Sequence, residues 1–390
     1  MRLLLDYRPA LRSRTGVGEW IHQLARTLMG LKAAGDPLAA DLDLTLFTSS
    51  WSERPEGSAR RELSGATIVD RRIPVRPLTL VWNRLGWPAV ETLAPGPFDV
   101  VQATGPIMLP SRRGRRAITV HDLDFLRHPE RTWGEMRRDF PALARRHAAG
   151  ADMVVTTSEF SARSVERQLG VPASRITVCR PGVPDWAAAA GRQDPRPGPG
   201  YVLFVGTLEP RKNVPGLLDA YQRMVANWPD APTLVLAGGS TPAAEPWLAR
   251  IADGPLAAKV EARGYVADRD RRALYDGAAV LVLPSFDEGF GLPVLEAMAV
   301  GVPVVATTRG AIPEVAGDAA LLVDPEDGDA IAHAIKRVLT EPGLASSLRA
   351  AGFTRARKFD WAASARTLLE AYRLLLASPP AAIGARQEPN

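Results

Sequence analysis

The 390-residue sequence has a single cysteine, Cys179, which excludes an internal disulfide and a cysteine-cluster metal site. This scarcity fits a reducing compartment, so the expected location is the cytoplasm. The sequence also lacks an apolar run close to the ~18 residues that span a bilayer. Asp6 interrupts the opening "MRLLLDYRP" too early for a signal-peptide core of about 7 to 15 residues. Any membrane contact is therefore expected to be peripheral.

The composition is that of a globular chain, with 46% hydrophobic and 23% charged residues. Its length exceeds what one core usually organises, which predicts roughly two domains. The formal net charge of +5 is compatible with phosphate-bearing ligands or an anionic membrane surface. No nucleic-acid partner is expected.

Short apolar runs alternate with amphipathic stretches, which indicates parallel sheets covered by helices. The alternation stops at "RPGVPDWAAAAGRQDPRPGPG", where five prolines and four glycines prevent a helix or strand from persisting, and it restarts at "YVLFVGT". Two Rossmann-like domains in series predict a cleft between them, with motifs in the loops that follow strands. The predicted segments are a first domain at 1–183, a linker at 184–200, a second domain at 201–358, a final helix at 359–378 and a disordered tail at 379–390.

The first such loop is "DYRPALRSRTGVGEW", where Gly16 and Gly18 allow the backbone to approach a ligand before a helix N-terminus. The third glycine of a dinucleotide fingerprint is absent, which argues against a nicotinamide or flavin enzyme. The alternative is that the two glycines only form a turn.

The second loop, "TVHDLDFLRHPE", places His121 directly after a predicted strand. An imidazole there can donate a hydrogen bond, take a proton or bind a sugar hydroxyl, although a structural histidine is the alternative. The "DLD" pattern also suggests a metal site. It arises easily by chance and occurs again at Asp41 to Asp43, so we expect no metal.

The third loop, "FVGTLEPRKN", brings Arg211 and Lys212 beside a helix N-terminus. Two cations with unpaired backbone amides predict a diphosphate site, and the alternative is a solvated surface pair.

The fourth loop, "DEGFGLPVLEAMAVG", carries Glu288 before a helix and Glu296 near the first turn of that helix. Pro293 suits a first helical position, which leaves the amides of Gly289 to Leu292 outside the intrahelical hydrogen bonds. Each carboxylate can accept hydrogen bonds from a different hydroxyl pair. The alternative is a cap at Glu288 and a helix-face acid at Glu296.

These four motifs, in this order and over residues 2–376, resemble the retaining nucleotide-sugar glycosyltransferases of family 4. The resemblance implies the GT-B fold, an α/β architecture of two Rossmann-like domains facing across a cleft. It also implies a nucleotide-sugar donor bound mostly by the second domain, an acceptor bound mostly by the first, no separate cofactor, and a final helix that returns to the first domain.

The resemblance also implies site residues. Glu288 is expected to contact the transferred sugar and Glu296 the ribose hydroxyls, while His121 binds the donor sugar or stabilises charge. Members of the family often have arginine or serine where this chain has Thr207 after Gly206, so phosphate contact there is expected to be weaker or to come from Arg211. The remaining expected donor contacts are Lys212 and Arg211 at the diphosphate with Gly16, Gly18, Gly206 and Thr207, the amides of Gly289, Phe290, Gly291 and Leu292, and Tyr265 and Val266 at the base.

The expected donor is GDP-mannose, from the resemblance of "GTLEPRKN" and "VHDLDFLRHPE" to bacterial mannosyltransferase-like members, with UDP-sugars as the alternative. The acceptor is expected to be a glycan or a lipid-linked glycan. Arginines mixed with apolar residues in "RRIPVRPLTLVWNRLGWPAVETL" predict either contact with an anionic membrane or a core helix with a basic outer face. A nucleotide-sugar 2-epimerase and a non-catalytic glycan-binding homologue stay open as alternatives.

Overall fold

The computed structural model describes residues 1–12, 16–55, 57–131, 139–188 and 200–379. The chain divides into two compact units. The first contains Met1–Gly182 and the last described helix, and the second is Val183–Asp360. Most of the predicted linker (189–199) and nearly all of the predicted tail (380–390) lie outside the described residues.

The described part of the first unit contains a parallel sheet of seven strands. They are β1 (Arg2–Asp6), β2 (Asp43–Ser49), β3 (Thr67–Arg71), β4 (Val100–Ala103), β5 (Arg115–Val120), β6 (Met153–Thr156) and β7 (Ile176–Val178). Their order is β3-β2-β1-β4-β5-β6-β7. The direction of winding reverses between β1 and β4, as in a Rossmann fold, and ligands bind such sheets beyond the carboxyl ends of those strands.

Helices connect these strands. They are α1 (Pro9–Arg12), α2 (Val17–Ala33), α3 (Gly57–Glu62), α4 (Val75–Leu85), α5 (Val90–Leu93), α6 (Asp124–Arg127), α7 (Phe140–Gly150) and α8 (Glu159–Leu169). The ends of α8 follow from local chemistry. Ser158 Oγ accepts a hydrogen bond from the amide of Ser161 (3.0 Å), and Gly170 ends the helix in the left-handed conformation.

The three consecutive leucines of β1 reflect a sheet that is covered on both faces. Leu3 and Leu5 pack into the apolar cluster on one face, whereas Leu4 packs into the cluster on the other. All three are fully buried. Because neither face meets solvent, the strand is a continuous apolar run and not an alternating one.

The described part of the second unit repeats this plan with six parallel strands. They are β8 (Tyr201–Val205), β9 (Leu234–Ala237), β10 (Val260–Gly264), β11 (Ala278–Leu283), β12 (Val304–Thr307) and β13 (Leu321–Val323). Their order is β10-β9-β8-β11-β12-β13, which places the reversal between β8 and β11. The prediction of two Rossmann-like domains is therefore confirmed.

Helices also precede, connect and follow the strands in the described part of the second unit. They are α9 (Asp185–Ala188), α10 (Val214–Asn227), α11 (Glu245–Asp253), α12 (Asp268–Asp276), α13 (Leu292–Val300), α14 (Ile312–Ala316), α15 (Gly328–Thr340) and α16 (Leu344–Ala356). The short helix α9 falls within the predicted linker, and its Trp186 ring stacks on Tyr275 with ring centroids 5.7 Å apart. The start of that segment is therefore packed in the second unit.

The predicted alternation of apolar and amphipathic runs did not include several elements, among them the strands β3, β7 and β13 and the helix α15. The three strands are sheet edges, and most of their residues are only half-buried, so their apolar signal is weak. The helix α15 does have the helical signal, because Ile331, Ile335 and Val338 are buried at helical spacing.

The last described helix, α17 (Trp361–Ala377), lies in the first unit, where it packs against α2. Leu368 and Leu369 are fully buried, and the hydroxyl of Tyr372 donates a hydrogen bond to Oε1 of Gln102 in β4. Among the described helices, none is both long and apolar enough to cross a membrane.

The burial of Leu368 predicts that α17 is part of the first unit's core. Leu368→Ala should lower the free energy of unfolding by about 2–5 kcal/mol, because it leaves a cavity. Leu374→Ala, the same substitution at a position of α17 that is 70% exposed, should change it by less than about 0.5 kcal/mol. Chemical denaturation measures both, and equal losses would contradict this packing.

Candidate functional site

The loop after β8 carries the predicted pair of cations. Gly206 and Thr207 follow the strand directly, and Arg211 and Lys212 lie in a 3-10 turn at Pro210–Lys212. Asn213 then adopts a left-handed conformation (φ 54°) at the start of α10. Because β8 borders the reversal of strand order, this loop lies where Rossmann sheets bind ligands.

Glu288 lies in the loop after β11, the strand on the other side of the reversal, and it contacts both cations. Its Oε1 lies 2.6 Å from Nζ of Lys212, and its Oε2 lies 3.1 Å from Nη1 of Arg211. Ser285 Oγ donates a further hydrogen bond to Oε1 (2.7 Å), and Arg211 also pairs with Glu209 (2.9 Å). We call Glu288, Lys212, Arg211, Ser285 and Glu209 the Glu288 cluster.

The surroundings of Glu288 determine its charge. Burial alone raises the pKa of this carboxyl, but the charges of Lys212 and Arg211 outweigh burial and lower the pKa to about 2. The hydrogen bonds from Lys212 and Ser285 act in the same direction. Glu288 is therefore a carboxylate at neutral pH and cannot act there as a proton donor.

Glycine is required at two positions around this loop. Gly291 has φ 96°, where a side chain is strained, and it directly precedes α13. A Cβ at Gly310, which has φ 67°, would lie 2.5 Å from the backbone nitrogen of Glu288. The amide of Ala311 donates to the carbonyl of Glu288 (2.8 Å), so this close approach fixes the loop.

The residues between Glu288 and α13 differ in their surroundings. Gly289 and Gly291 flank Phe290, which is buried with its ring edge against Phe359 (centroids 5.7 Å apart). Leu292 is the first residue of α13, so Pro293 occupies the second helical position and not the first as predicted. Pro293 has no amide hydrogen, and the amides of Val294 and Leu295 both donate to the carbonyl of Gly291 (3.0 and 3.4 Å), so an anionic ligand would have to meet amides that precede Pro293.

Glu296 is held apart from the Glu288 cluster, inside α13. Its Oε2 accepts a hydrogen bond from the hydroxyl of Tyr275 (2.6 Å), and its Oε1 lies 3.1 Å from Nη1 of Arg271. Arg271 also pairs with Asp268 (2.9 Å). Burial raises the pKa of Glu296, although Arg271 and Tyr275 act in the opposite direction.

The predicted base contacts follow β10. Tyr265 is 49% exposed and Val266 is half-buried. Gly264, which ends β10, has φ 67°. Because α12 begins at Asp268, the loop with Tyr265 leads directly into α12, the helix whose Arg271 and Tyr275 contact Glu296.

His121 follows β5 in the first unit. Its Nε2 donates to the carbonyl of Thr104 (3.2 Å), and the Trp20 ring stands edge-on to it with centroids 5.2 Å apart. Burial lowers the pKa of His121 to about 4, although the charge of Asp122 and the bond to Thr104 act in the opposite direction. His121 is therefore uncharged at neutral pH.

Gly16 and Gly18 lie at the start of α2 in the same unit. Gly16 directly precedes the helix, and its carbonyl accepts a hydrogen bond from the amide of Trp20 (3.0 Å). Residues 13–15 of this predicted loop lie outside the described residues.

The structure thus brings Arg211, Lys212 and Glu288 together and leaves Glu296 in a separate cluster. Sequence reasoning missed Ser285 beside Glu288 and both partners of Glu296. Ser285 was visible as a hydroxyl two residues after an apolar strand. Arg271 and Tyr275 were visible as two polar residues four apart on a helix, near a carboxylate in the apolar helix α13 that needs a partner. Among the residues that the structure describes, no group of three or more His, Cys, Asp or Glu could hold a metal ion.

The close approach at Gly310 can be tested with a matched pair of glycines. Gly310→Ala and Gly343→Ala both place a side chain at positive φ, 67° and 80°, which costs about 1–3 kcal/mol. Only the first puts Cβ against another backbone, since nothing lies within 4 Å of a Cβ at Gly343. Gly310→Ala should therefore be the more destabilising by about 1–3 kcal/mol in thermal or urea unfolding. Equal losses would show that the loop of Glu288 does not need this approach.

Comparisons with known proteins cover both units. A family model described as Glycosyltransferase Family 4 matches residues 15–185, and one described as glycosyl transferases group 1 matches residues 199–341. O-antigen chain mannosyltransferase B from Escherichia coli is 33% identical over 389 residues, which is 96% of this chain and 100% of that relative.

Solved structures share the fold. Sucrose-phosphate synthase from Thermosynechococcus elongatus has a TM-score of 0.71 and 20% identity, covering 96% of this chain and 99% of that one. HepE from Anabaena in complex with UDP-glucose has a TM-score of 0.68 and 18% identity, covering 97% and 100%. These likenesses confirm the predicted GT-B fold. The sequence matches extend over both units, and the chain therefore belongs to the glycosyltransferases of family 4, the glycosyl transferases group 1.

Proposed function

We propose that this glycosyltransferase moves a hexose from a nucleoside-diphosphate sugar, with GDP-mannose as the first choice, to a glycan or lipid-linked acceptor in polysaccharide or glycolipid synthesis. The observation that carries the proposal is the Glu288 cluster at the reversal of strand order. The name of the 33% identical relative supports mannose and an O-antigen type of acceptor. The complex of HepE with UDP-glucose supports a nucleotide-sugar donor and keeps UDP-sugars as the alternative.

In this proposal Lys212 and Arg211 bind the diphosphate. Glu288 contacts the transferred sugar, because its carboxylate is ionised and suits hydroxyl donors. Glu296 binds the ribose hydroxyls. The amides of residues 289–292, Gly206 and Thr207 line the phosphates, and Tyr265 and Val266 contact the base. The roles of His121, Gly16 and Gly18 stay predictions from the resemblance.

We propose a retaining transfer that needs no metal and no cofactor besides the donor. The bond between the sugar carbon and the diphosphate breaks, and the acceptor oxygen attacks on the same face. The departing phosphate takes the acceptor proton, and Lys212, Arg211 and the amides of residues 289–292 stabilise its charge. Three donors occupy the Glu288 carboxylate and lower its basicity, which supports a role in binding and not as a nucleophile.

Because Glu288 competes with a diphosphate for the same two cations, its neutral isostere should separate binding from turnover. Glu288→Gln should strengthen the binding of the free nucleoside diphosphate about 3- to 10-fold and lower transfer at least about 100-fold. A panel of nucleotide sugars, screened by melting shift, first identifies the donor, and calorimetry and a transfer assay then measure both effects.

Lys212→Ala should weaken the same binding at least about 10-fold, whereas Lys336→Ala, at an exposed lysine of α15, should leave it unchanged. The absence of any nucleotide-sugar melting shift for the native protein would refute the proposed function. Undiminished transfer by Glu288→Gln would refute the role of the cluster.

We further propose that the first unit contacts an anionic membrane at the inner face, in keeping with the cytoplasmic location expected for this chain. Leu78 and Trp82 bury one face of α4, while Arg76, Leu80 and Arg84 recur every four residues on the opposite, exposed face. Leu85, the last residue of the helix, and Trp87, two residues beyond it, are 71% and 64% exposed. No acidic residue occurs between Arg71 and Val90, so the exposed face combines positive charge with apolar side chains.

This membrane contact predicts a charge-dependent binding to vesicles. The protein should sediment with phosphatidylcholine vesicles that contain phosphatidylglycerol and not with pure phosphatidylcholine. Leu80→Glu should lower the bound fraction at least about 5-fold, whereas Leu374→Glu, at an exposed leucine of α17, should have little effect. Equal binding by the two variants would contradict a contact through α4.

A further inference from the structure

Glu296 belongs to a second buried group of charges in the described part of the second unit. Its side chain is 5% exposed, and that of Arg271 is 10% exposed. Arg271 bridges two acids, with Nη1 at 3.1 Å from Glu296 and Nη2 at 2.9 Å from Asp268. Tyr275, which is fully buried, donates its hydroxyl to the other oxygen of Glu296 (2.6 Å).

A buried carboxylate with these partners is costly to maintain for stability alone. Burying an ion pair usually contributes little net stability, because desolvation offsets the attraction of the charges. The same helix already offers Arg271 a less buried acid, Asp268, one turn away. That Arg271 also pairs with Glu296 therefore indicates that the Glu296 carboxylate has a role other than stability.

The partners leave this carboxylate able to accept more hydrogen bonds. An ionised carboxylate has about four lone-pair sites, and Arg271 and Tyr275 engage one on each oxygen. The group of Asp268, Arg271 and Glu296 carries two negative charges against one positive. This excess of negative charge repels phosphate and favours neutral hydroxyl donors.

We propose that Arg271 and Tyr275 are positioning residues that hold Glu296 ionised and in one orientation toward the paired hydroxyls of the donor ribose. This inference rests on the proposed function, in which Glu296 meets that ribose. Arg271 supplies the charge that keeps Glu296 deprotonated, and Tyr275 fixes the second oxygen. The ring of Tyr275 is in turn fixed by stacking on Trp186.

The position of α12 in the chain supports this assignment. The helix starts directly after the loop of Tyr265 and Val266, where the base is proposed to bind. Its Arg271 and Tyr275 are four residues apart and reach Glu296 from the same side of α12. The base contacts and the residues that orient Glu296 therefore lie on one continuous segment.

The test compares a ribonucleotide with its deoxy analogue by calorimetry. The native protein should bind GDP about tenfold or more tightly than 2′-deoxy-GDP, because the deoxy sugar leaves Glu296 with an unused acceptor site. UDP and 2′-deoxy-UDP form the second pair of probes. Arg271→Met should reduce the ratio of the GDP affinity to the 2′-deoxy-GDP affinity to between 1 and about 2. Tyr275→Phe keeps the Arg271 cation and should reduce the same ratio about 3-fold.

Arg269→Met is the matched control. Arg269 is in the first turn of α12, its side chain is 86% exposed, and it pairs with Asp270 (3.4 Å) and not with Glu296, so its substitution should leave the ratio unchanged. Melting temperatures show whether each variant is folded. If Arg271→Met does not fold, the ratio of Tyr275→Phe decides the question.

The pH dependence of GDP binding distinguishes a positioning role of Arg271 from a purely structural one, because a structural role would not shift it. GDP binding needs ionised Glu296, so affinity falls as pH falls through the pKa of that group. Without Arg271 the pKa rises further, since the Arg271 charge opposes the effect of burial. The pH at which Arg271→Met loses affinity should therefore be higher than for the native protein by about one pH unit or more.

The outcomes separate this inference from the proposed function. If the native protein binds neither GDP nor UDP, the proposed function is overturned and this inference with it. If the native protein binds but Arg271→Met keeps the native ratio and pH profile, only the positioning role is overturned. Loss of the ratio in Arg271→Met with an unchanged ratio in Arg269→Met supports the inference.

Discussion

The pairing of Glu288 with Lys212 and Arg211 is the interaction on which the functional site depends. It joins the loops that follow β8 and β11, the two strands between which the strand order reverses. Both Lys212 and Glu288 are largely buried, and buried ion pairs seldom add much to stability. The close approach of Gly310 to Glu288 and the hydroxyl of Ser285 serve the same arrangement. In the proposed function, Lys212 and Arg211 form an anion site in which Glu288 is the anion that the protein itself supplies.

Two carboxylates eight residues apart have opposite electrostatic surroundings. Burial raises the pKa of both, but only Glu288 has two cations close enough to lower its pKa to about 2. For Glu296, burial outweighs the charge of Arg271, so its pKa is raised. By linkage, Glu288 stabilises the fold above the ordinary glutamate pKa, and this stability is lost as pH falls toward 2. The raised pKa of Glu296 gives a pH dependence of stability with the opposite sign, because the folded state binds the Glu296 proton more tightly than the unfolded state does.

Much of the fold could be predicted from the sequence because central strands such as β1 are buried on both faces and read as continuous apolar runs. The edge strands β3, β7 and β13 were not predicted, because they are short and half-exposed. The motifs also placed Arg211, Lys212 and Glu288 in loops after strands, where the structure has them. The distances of Lys212 and Arg211 to Glu288, and the partners Arg271 and Tyr275 of Glu296, depend on contacts between segments more than 20 residues apart in the chain, which spacing alone does not encode. Ser285 lies only three residues before Glu288, but the direction of its side chain depends on the fold of the loop.

We propose that the Glu288 cluster binds the diphosphate of a nucleotide-sugar donor. A crystal structure of the protein with GDP, or with UDP if the melting-shift panel selects it, tests this proposal. Diphosphate oxygens should lie within about 3.2 Å of Lys212 Nζ and of an Arg211 guanidinium nitrogen. A nucleotide bound elsewhere, with Lys212 and Arg211 still paired only to Glu288, would refute the proposed diphosphate site.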